Sequence, residues 1–413
     1  MKGIIREYQH SIDFATFILM GLFPAVPFKL KPYTIVPFIV FAFYKIVFLK
    51  QKLRNVKYVI ISALFFFALT FSIIYSDDIN AAKNLTLRLS PFLLLPFSFS
   101  VVDKVKISSL TRVFFKTFIL SCLFYSSLIL IYSLSFDQLD LPNIHAHIRD
   151  KFWGFNDHPI YISFTFSIAI ISVFSLKSST LTRVISLVVL SSTVLFFARK
   201  GAIIGLLLVL PFLLSKDLKK TRPLRLVFFI LVIAGLFFSI NHMTNNHIGN
   251  RFQEFSEINS ITDDENTSLG TRMIVWKACT EAISKSVFLG YGIGDAQTIL
   301  NTELRDNGYQ KLISQKSYNK PIFKNAHNQY LQIILSNGII GFALFILFYF
   351  WLFNHPQVSK NTFAIVIFIF MLFCFSFESF LERQNGIILI AILINIILFG
   401  NNYMNNNSYK INV

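Results

Sequence analysis

The sequence predicts an all-α, polytopic membrane protein with about twelve transmembrane helices and a large, partly helical loop between helices nine and ten. Hydrophobic residues make up 54% of the 413 residues and charged residues only 14%, well below the charged fraction of soluble domains. Long apolar runs recur along the chain, and in lipid such runs must be helical because every backbone polar group needs an internal partner. The short alternating strands of a membrane barrel are not visible.

The apolar runs divide the chain into three parts. Residues 1–240 are predicted to hold helices one to nine, residues 241–328 the loop, and residues 329–413 helices ten to twelve with a tail. The first run lacks a small-residue cleavage pattern, so we expect a membrane anchor rather than a removed signal peptide. The predicted spans lie near residues 11–28, 33–49, 58–75, 86–102, 113–135, 158–175, 182–198, 201–215, 224–240, 329–353, 362–380 and 385–400.

The distribution of Lys and Arg predicts the orientation of these helices. If the N-terminus is cytoplasmic, the loops on that side carry about twice as many basic residues as the opposite short loops, which is the positive-inside bias. The densest cluster, residues 216–225, directly precedes the ninth run and is expected on the cytoplasmic face. Residues 241–328 would then lie outside the cytoplasm.

The net charge of +17 does not indicate a nucleic-acid partner, because the basic residues fall in short clusters between apolar runs. Cys122, Cys279 and Cys374 are scattered and lack metal-ligand spacing, so neither a disulfide framework nor a zinc site is predicted. The pair His145 and His147 could be half of a metal site, but no further ligand cluster accompanies it. Ordinary loop polarity is the preferred interpretation of that pair.

Three basic residues lie at or within the membrane interface, where a charged side chain is costly. Arg199 and Lys200 stand between two apolar runs with almost no loop, and Arg88 lies inside or beside the fourth run. Ionisable groups at such positions are candidates for function. The alternative is that their long side chains extend to the lipid headgroups.

The polar interval is predicted to contain an amphipathic helix from about Thr271 to Phe288, with Ser268 as its N-cap. Arg272 would lie in its first turn, where the helix dipole disfavours a cation unless an anion is near. Arg272 and the helix N-terminus could together bind a phosphate group. The alternative interpretation is that Arg272 is an ordinary solvated surface residue. The glycines at 290, 292 and 294 follow a helix rather than a strand, so they indicate a tight turn rather than a nucleotide site.

His327 directly precedes the tenth run in a polar context that includes Asn328, and imidazole is the side chain best suited to proton transfer near neutral pH. Glu378 and the pair Glu382 and Arg383 lie at the end of the eleventh run, on the same face of the membrane as the loop. These groups could orient His327 or a basic partner, or pair with each other.

Five motifs stand out in the second half of the chain. They are Phe197-Ala198-Arg199-Lys200-Gly201, Ser268-Leu269-Gly270-Thr271-Arg272 with Trp276, Leu289-Gly290-Tyr291-Gly292-Ile293-Gly294, Ala326-His327-Asn328-Gln329-Tyr330-Leu331-Gln332, and Asn337-Gly338-Ile339-Ile340-Gly341. Together they resemble the O-antigen ligase superfamily, which also contains polysaccharide polymerases and protein O-oligosaccharyltransferases. The resemblance covers roughly residues 190–345, and the helix layout extends it to the whole chain.

The resemblance implies a metal-independent, inverting glycosyltransferase of the bacterial inner membrane, with its site facing the periplasm and no cofactor. Its donor would be a glycan on undecaprenyl pyrophosphate, and its acceptor lipid A-core or another glycan. Arg199 and Arg272 match arginines that hold the pyrophosphate, and His327 matches the essential histidine. Further substrate-binding residues are predicted at Lys200, Asn328, Arg251, Arg88, Glu378 and Arg383.

Several functions remain open at this point. The ligase reaction is preferred over the polymerase reaction, and a protein acceptor is the third choice. A flippase for lipid-linked oligosaccharides also needs many spans and cations, but transporters usually show internal repeats that are not visible here. A structural scaffold would leave Arg199 and the surroundings of His327 unexplained.

Overall fold

A computed structural model describes residues 2–135, 141–176, 178–218, 268–314, 316–317, 320–321 and 325–400, with the isolated positions 235, 238, 241 and 249. The described residues are almost entirely helical, as predicted. The exception is a two-residue antiparallel ladder, Lys316–Ser317 with Lys320–Pro321, inside the polar interval. The predicted ninth span, residues 224–240, and Arg251 lie outside the residues that the structure describes.

The helices are numbered in chain order among these residues. They are α1 (Lys2–Gly21), α2 (Val36–Val47), α3 (Val56–Thr70), α4 (Ile79–Leu89), α5 (Pro91–Ser100), α6 (Ile107–Ser133), α7 (Leu141–Lys151), α8 (Pro159–Ser175), α9 (Thr180–Phe197), α10 (Lys200–Leu218), α11 (Ser268–Lys285), α12 (Ala296–Asp306), α13 (Gln310–Ser314), α14 (Gln329–Asn354), α15 (Pro356–Ser359), α16 (Thr362–Phe375) and α17 (Gln384–Phe399). Short 3-10 helices occupy Phe23–Ala25, Phe28–Thr34, Phe71–Tyr75 and Phe380–Glu382.

Five helical segments among the described residues are long and apolar enough to cross a membrane. Four shorter apolar helices accompany them, and the fold is that of a multi-pass membrane protein. The long segments are Phe28–Val47, Val56–Tyr75, Ile107–Ser133, Thr180–Phe197 and Gln329–Asn354, and the shorter ones are Pro159–Ser175, Lys200–Leu213, Thr362–Phe375 and Gln384–Phe399.

Local sequence explains where several of these helices begin. The carboxylate of Asp78 accepts hydrogen bonds from two backbone N–H groups at the start of α4. The side chains of Ser179 and Asn361 cap α9 and α16 in the same way. Each cap satisfies donors that have no partner within the helix.

Two predicted elements differ in the structure. The run 86–102 is not one helix, because Pro91 lacks a backbone N–H and starts a new helix, which leaves Arg88 in the last turn of α4. The loop predicted between the runs 113–135 and 158–175 contains the helix α7. His145 on α7 is buried, and its Nε2 lies 3.0 Å from the carbonyl oxygen of Phe196. Its role there is packing against α9.

The long helix α14 is broken at Gly338, whose backbone is non-helical with φ 63° and ψ −171°. Tyr330 and Phe342 would be about 18 Å apart along a straight helix, yet their ring centres lie 6.3 Å apart. The part of α14 before Gly338 therefore bends away from the axis of the part after it. The apolar run 329–353 therefore contains two helical pieces that meet at Gly338.

The break is held by residues 286–294, here called the glycine loop, which connect α11 to α12. The N–H groups of Tyr291 and Gly292 donate to the carbonyl oxygens of Leu335 and Ser336, at 2.9 and 2.8 Å. The N–H of Ile339 donates to the Val287 carbonyl oxygen at 2.8 Å. The glycine loop thus satisfies the backbone groups that the break releases. The prediction of a tight, close-packed turn at these glycines is confirmed.

The buried apolar residues form two clusters. The larger one joins the membrane helices. The smaller one joins α11, α12 and the first part of α14 through residues such as Ile274, Leu300 and Leu335. The helix that carries Arg272 is therefore packed directly on the helix that follows His327.

Candidate active site

A cavity at one end of the membrane helices brings together four of the predicted site residues. Arg199, Lys200, Arg272 and Glu378 all line it, beside the aromatic side chains of Phe164, Phe377 and Phe380. The cations come from the junction of α9 and α10 and from α11, and Glu378 follows α16. The structure therefore joins residues that are far apart in the sequence, with three cations and one carboxylate on the same cavity.

The junction between α9 and α10 is tight. Ala198 ends α9 in a left-handed conformation with φ 47°, and Lys200 already begins α10. Gly201 allows close approach to the segment after α16, because a Cβ at this glycine would lie 3.1 Å from the Cβ of Phe377. Lys200 is buried, and Arg199 is partly exposed to the cavity.

His327 and Glu378 form a pair next to this cavity. His327 Nδ1 lies 3.1 Å from Glu378 Oε2, and Glu378 is buried. Burial alone would raise the pKa of Glu378, but the charge and hydrogen bond of His327, with smaller contributions from His158 and Arg272, lower this pKa to about 2. Glu378 therefore stays ionised at neutral pH, and its carboxylate accepts a hydrogen bond from the protonated Nδ1 of His327. In the neutral tautomer, Nε2 of His327 is then the free base.

His327 has a left-handed backbone with φ 44°, which is unusual for a residue other than glycine. The side chain of Asn325 accepts from the His327 N–H at 3.2 Å, and Gln332 Oε1 accepts from the Ala326 N–H at 3.1 Å. The indole N–H of Trp276 donates to the Ala326 carbonyl oxygen at 2.9 Å. Three side chains from two helices and the turn itself hold this strained conformation.

Asn328 is the N-cap of α14, since its Oδ1 accepts from the N–H groups of Tyr330 and Leu331 at 3.0 and 3.2 Å. That oxygen is occupied, so only the amide NH₂ of Asn328 is left for a substrate. Gln329 accepts from the Leu381 N–H at 2.7 Å and ties the start of α14 to the segment that carries Glu378. Neither contact was expected from the sequence.

Arg88 and Arg383 are exposed and gather around Glu382 rather than on the cavity. Burial raises the pKa of Glu382 to about 7, and Arg88, Arg383 and a hydrogen bond from Gln332 oppose the rise. Gln332 thus contacts both the backbone beside His327 and Glu382. The two arginines and Glu382 form a second polar group, which does not line the cavity.

His158 was missed by the sequence analysis. It is the N-cap of α8, with Nδ1 3.4 Å from the Ile160 N–H. Burial and the nearby charge of Arg199 lower the pKa of His158 to about 3, although Glu378 opposes this shift. His158 is therefore a neutral imidazole beside the cations. The signal in the sequence was a His directly before Pro159, at the start of an apolar helix.

Next to His158, the buried Asp157 anchors the beginning of α8. It forms an ion pair with Lys31 and accepts hydrogen bonds from Tyr125 at 3.3 Å and from Asn385 at 2.7 Å. Burial raises the pKa of Asp157, while Lys31 lowers it. These contacts tie the first, middle and last parts of the chain together beneath the cavity.

These features define a multi-pass membrane protein whose membrane helices end at a cavity with three cations and an adjoining His–Glu pair. Residues 184–346 match the family model described as O-Antigen ligase, so this part of the chain is an O-antigen ligase family domain. That family consists of membrane enzymes that transfer glycans. No curated protein matches the chain. The matched residues include Arg199, Arg272 and His327, whereas Glu378 and His158 lie outside them.

Proposed function

We propose that the protein is a metal-independent, inverting glycosyltransferase that moves a glycan from undecaprenyl pyrophosphate to an acceptor hydroxyl. The observation that carries this proposal is the shared cavity of Arg199, Lys200 and Arg272 beside the His327–Glu378 pair. A pyrophosphate is a dianion or more, and charge-assisted hydrogen bonds from arginine recognise its oxygens well. Three cations on one small cavity suit that group.

In the proposed reaction, the Nε2 atom of His327 accepts the proton of the acceptor hydroxyl as its oxygen bonds to the anomeric carbon. The bond from that carbon to the pyrophosphate oxygen breaks, and the electron pair leaves with the lipid pyrophosphate. Arg199 and Arg272 stabilise the charge that develops on the departing group, and Lys200 adds a third positive charge. The ionised Glu378 holds His327 in its tautomer and stabilises the imidazolium that forms.

The acceptor we favour is lipid A-core, which makes the protein an O-antigen ligase. Its setting would be the bacterial inner membrane, with about twelve spans and the site facing the periplasm. The basic residues at 216–225 support that orientation. Asn328, Arg88, Arg383 and Arg251 are proposed to contact the glycan or the acceptor. Of these, Arg88 and Arg383 are exposed and both interact with the charge of Glu382, so they are available to a second substrate.

The test combines a purified assay with a strain phenotype. The His327→Ala variant should insert and purify normally yet lose glycan transfer, and Glu378→Gln should lose part of it. His10→Ala is the matched control, because His10 is an exposed histidine on α1, far along the chain from the site. Full transfer by His327→Ala would refute the assigned role.

A deletion strain distinguishes the acceptors. Loss of all long glycan from lipid A-core, with lipid-linked polymer accumulating, is the result expected for a ligase. A single repeat left on the core would identify a polymerase instead, and an unglycosylated protein would identify an oligosaccharyltransferase.

A further inference from the structure

The glycine loop exposes three consecutive apolar side chains although it belongs to the polar part of the chain. Val287 is 42% exposed, Phe288 73% and Leu289 49%. Soluble surfaces rarely carry such a continuous apolar patch without a partner. The patch does not contribute to the cavity that holds Arg199 and Arg272. Its function must therefore differ from direct contact with the pyrophosphate.

The patch continues on one side into the surface of a membrane helix. The carbonyl oxygens of Val287 and Phe288 accept from the N–H groups of Ile339 and Ile340, which begin the second part of α14. Both isoleucines are exposed. Further along α14, the exposed surface is again apolar at Leu344, Leu347 and Phe350. The glycine loop thus extends the outer face of a helix that is long and apolar enough to span.

On its other side the patch meets the end of a second candidate span, Val56–Tyr75. The hydroxyl of Tyr75 donates to the Leu289 carbonyl oxygen, and the neighbouring Ile74 is highly exposed. Tyrosines with an apolar ring and a bound hydroxyl are typical of membrane interfaces. Phe288 and Leu289 are therefore held between the ends of two membrane helices.

The backbone of the glycine loop meets the requirement for a non-helical segment in lipid, which is that its polar groups have protein partners. Four successive carbonyl oxygens are paired. Those of Val287 and Phe288 accept from α14, that of Leu289 accepts from Tyr75, and that of Gly290 accepts from Ser286 Oγ at 2.8 Å. The exposed part of this loop consequently presents apolar side chains with few open acceptors.

We propose that the glycine loop is a membrane anchor, with Val287, Phe288 and Leu289 inserted among the acyl chains of the adjoining leaflet. The partner is bulk lipid, since the patch is continuous with apolar helix surface on both sides. The anchor holds the break in α14, and with it the His327 turn, at a fixed depth relative to the bilayer.

The test is site-directed spin labelling in vesicles of phosphatidylethanolamine and phosphatidylglycerol. A nitroxide is placed on Phe288→Cys, and its collision rates with oxygen, which partitions into lipid, and with a water-soluble nickel chelate are compared. Leu347→Cys on the outer face of α14 is the lipid reference, and Thr302→Cys on the exposed face of α12 is the water reference. The native cysteines are buried, and the unmodified chain gives the labelling background.

The expected result is that Phe288→Cys resembles Leu347→Cys, with oxygen collisions several-fold favoured over the chelate. The proposal would be overturned if the collision rates at Phe288→Cys matched those of Thr302→Cys. It would also be overturned if a protein contact shielded the nitroxide from both reagents. Leu289→Cys provides a second label if the first variant folds poorly. The measurement does not depend on glycan transfer, so a failed anchor and a failed proposed function give separate results.

Discussion

The indole N–H of Trp276 lies 2.9 Å from the carbonyl oxygen of Ala326, the residue directly before His327. Arg272 lies four residues before Trp276, on the same face of α11. This hydrogen bond therefore links the helix of the proposed phosphate-binding arginine to the turn that carries the proposed base.

Trp276→Phe keeps an aromatic ring and removes only this donor. A hydrogen bond contributes about 1 kcal/mol, so we expect kcat to fall roughly 5-fold while KM for the donor changes little. Steady-state transfer by purified protein measures both. Trp351→Phe, at the other end of α14, should leave kcat unchanged. A lowered melting temperature with an unchanged kcat would show that Trp276 contributes only to stability.

Arg272→Gln should weaken the stabilisation of the leaving pyrophosphate. Hydrogen bonds to charged groups contribute about 1.5–3 kcal/mol, which corresponds to a loss of roughly 10- to 100-fold in kcat/KM. Arg272→Lys should recover part of the loss, because lysine keeps the charge without the planar fork of donors. Arg305→Gln, on the exposed face of α12, is the control. Equal kcat/KM for the wild type and Arg272→Gln would contradict the role.

The raised pKa of Glu382 predicts how the stability of the folded chain depends on pH. Its pKa in the folded chain is about 7, above the ordinary 4.5, so the folded chain binds this proton more tightly than the unfolded chain. The stability that this proton contributes is present in acid and is lost as the pH rises from 4.5 through about 7. We expect the melting temperature to fall over this interval and to fall less in Glu382→Gln. Identical slopes for the two proteins would disprove the assignment.

Gly290 and Gly308 provide a matched pair for the close packing at the break of α14. Both have positive φ, 69° and 85°, but a Cβ at Gly290 would lie 2.6 Å from the Gly338 nitrogen, whereas a Cβ at Gly308 meets nothing within 4 Å. Gly308→Ala should cost about 1–2 kcal/mol from its backbone conformation alone. Gly290→Ala must also displace backbone, so its melting temperature should fall further. Similar losses in both variants would mean that crowding at Gly290 is unimportant.

The sequence predicted most of the membrane helices and the residues of the cavity that lie in recognisable motifs. Arg199 and Lys200 were predictable because two apolar runs leave almost no loop between them. Arg272 was predictable because a cation at the start of a helix needs an anion. That these three residues line one cavity could not be predicted from the sequence, because it depends on how α9, α10 and α11 pack.

The break at Gly338 could not be predicted from hydropathy, because residues 329–353 form one continuous apolar run. A helix with a central glycine is also common in membranes, where neighbouring groups can replace a lost backbone bond. Glu378 had several possible partners in the sequence, and only the packed structure pairs it with His327. His158 went unnoticed because an N-cap histidine has no spacing signature.

Some of the buried side-chain hydrogen bonds join residues that are synthesised at very different times. Ser72 pairs with Asn337, 265 residues later, and Asp157 pairs with Asn385, 228 residues later. When the early helices enter the bilayer, these polar side chains have only some of their final partners. A chain that ends before residue 384 lacks Asn385 beside Asp157, so assembly of the region beneath the cavity is a late event in biogenesis.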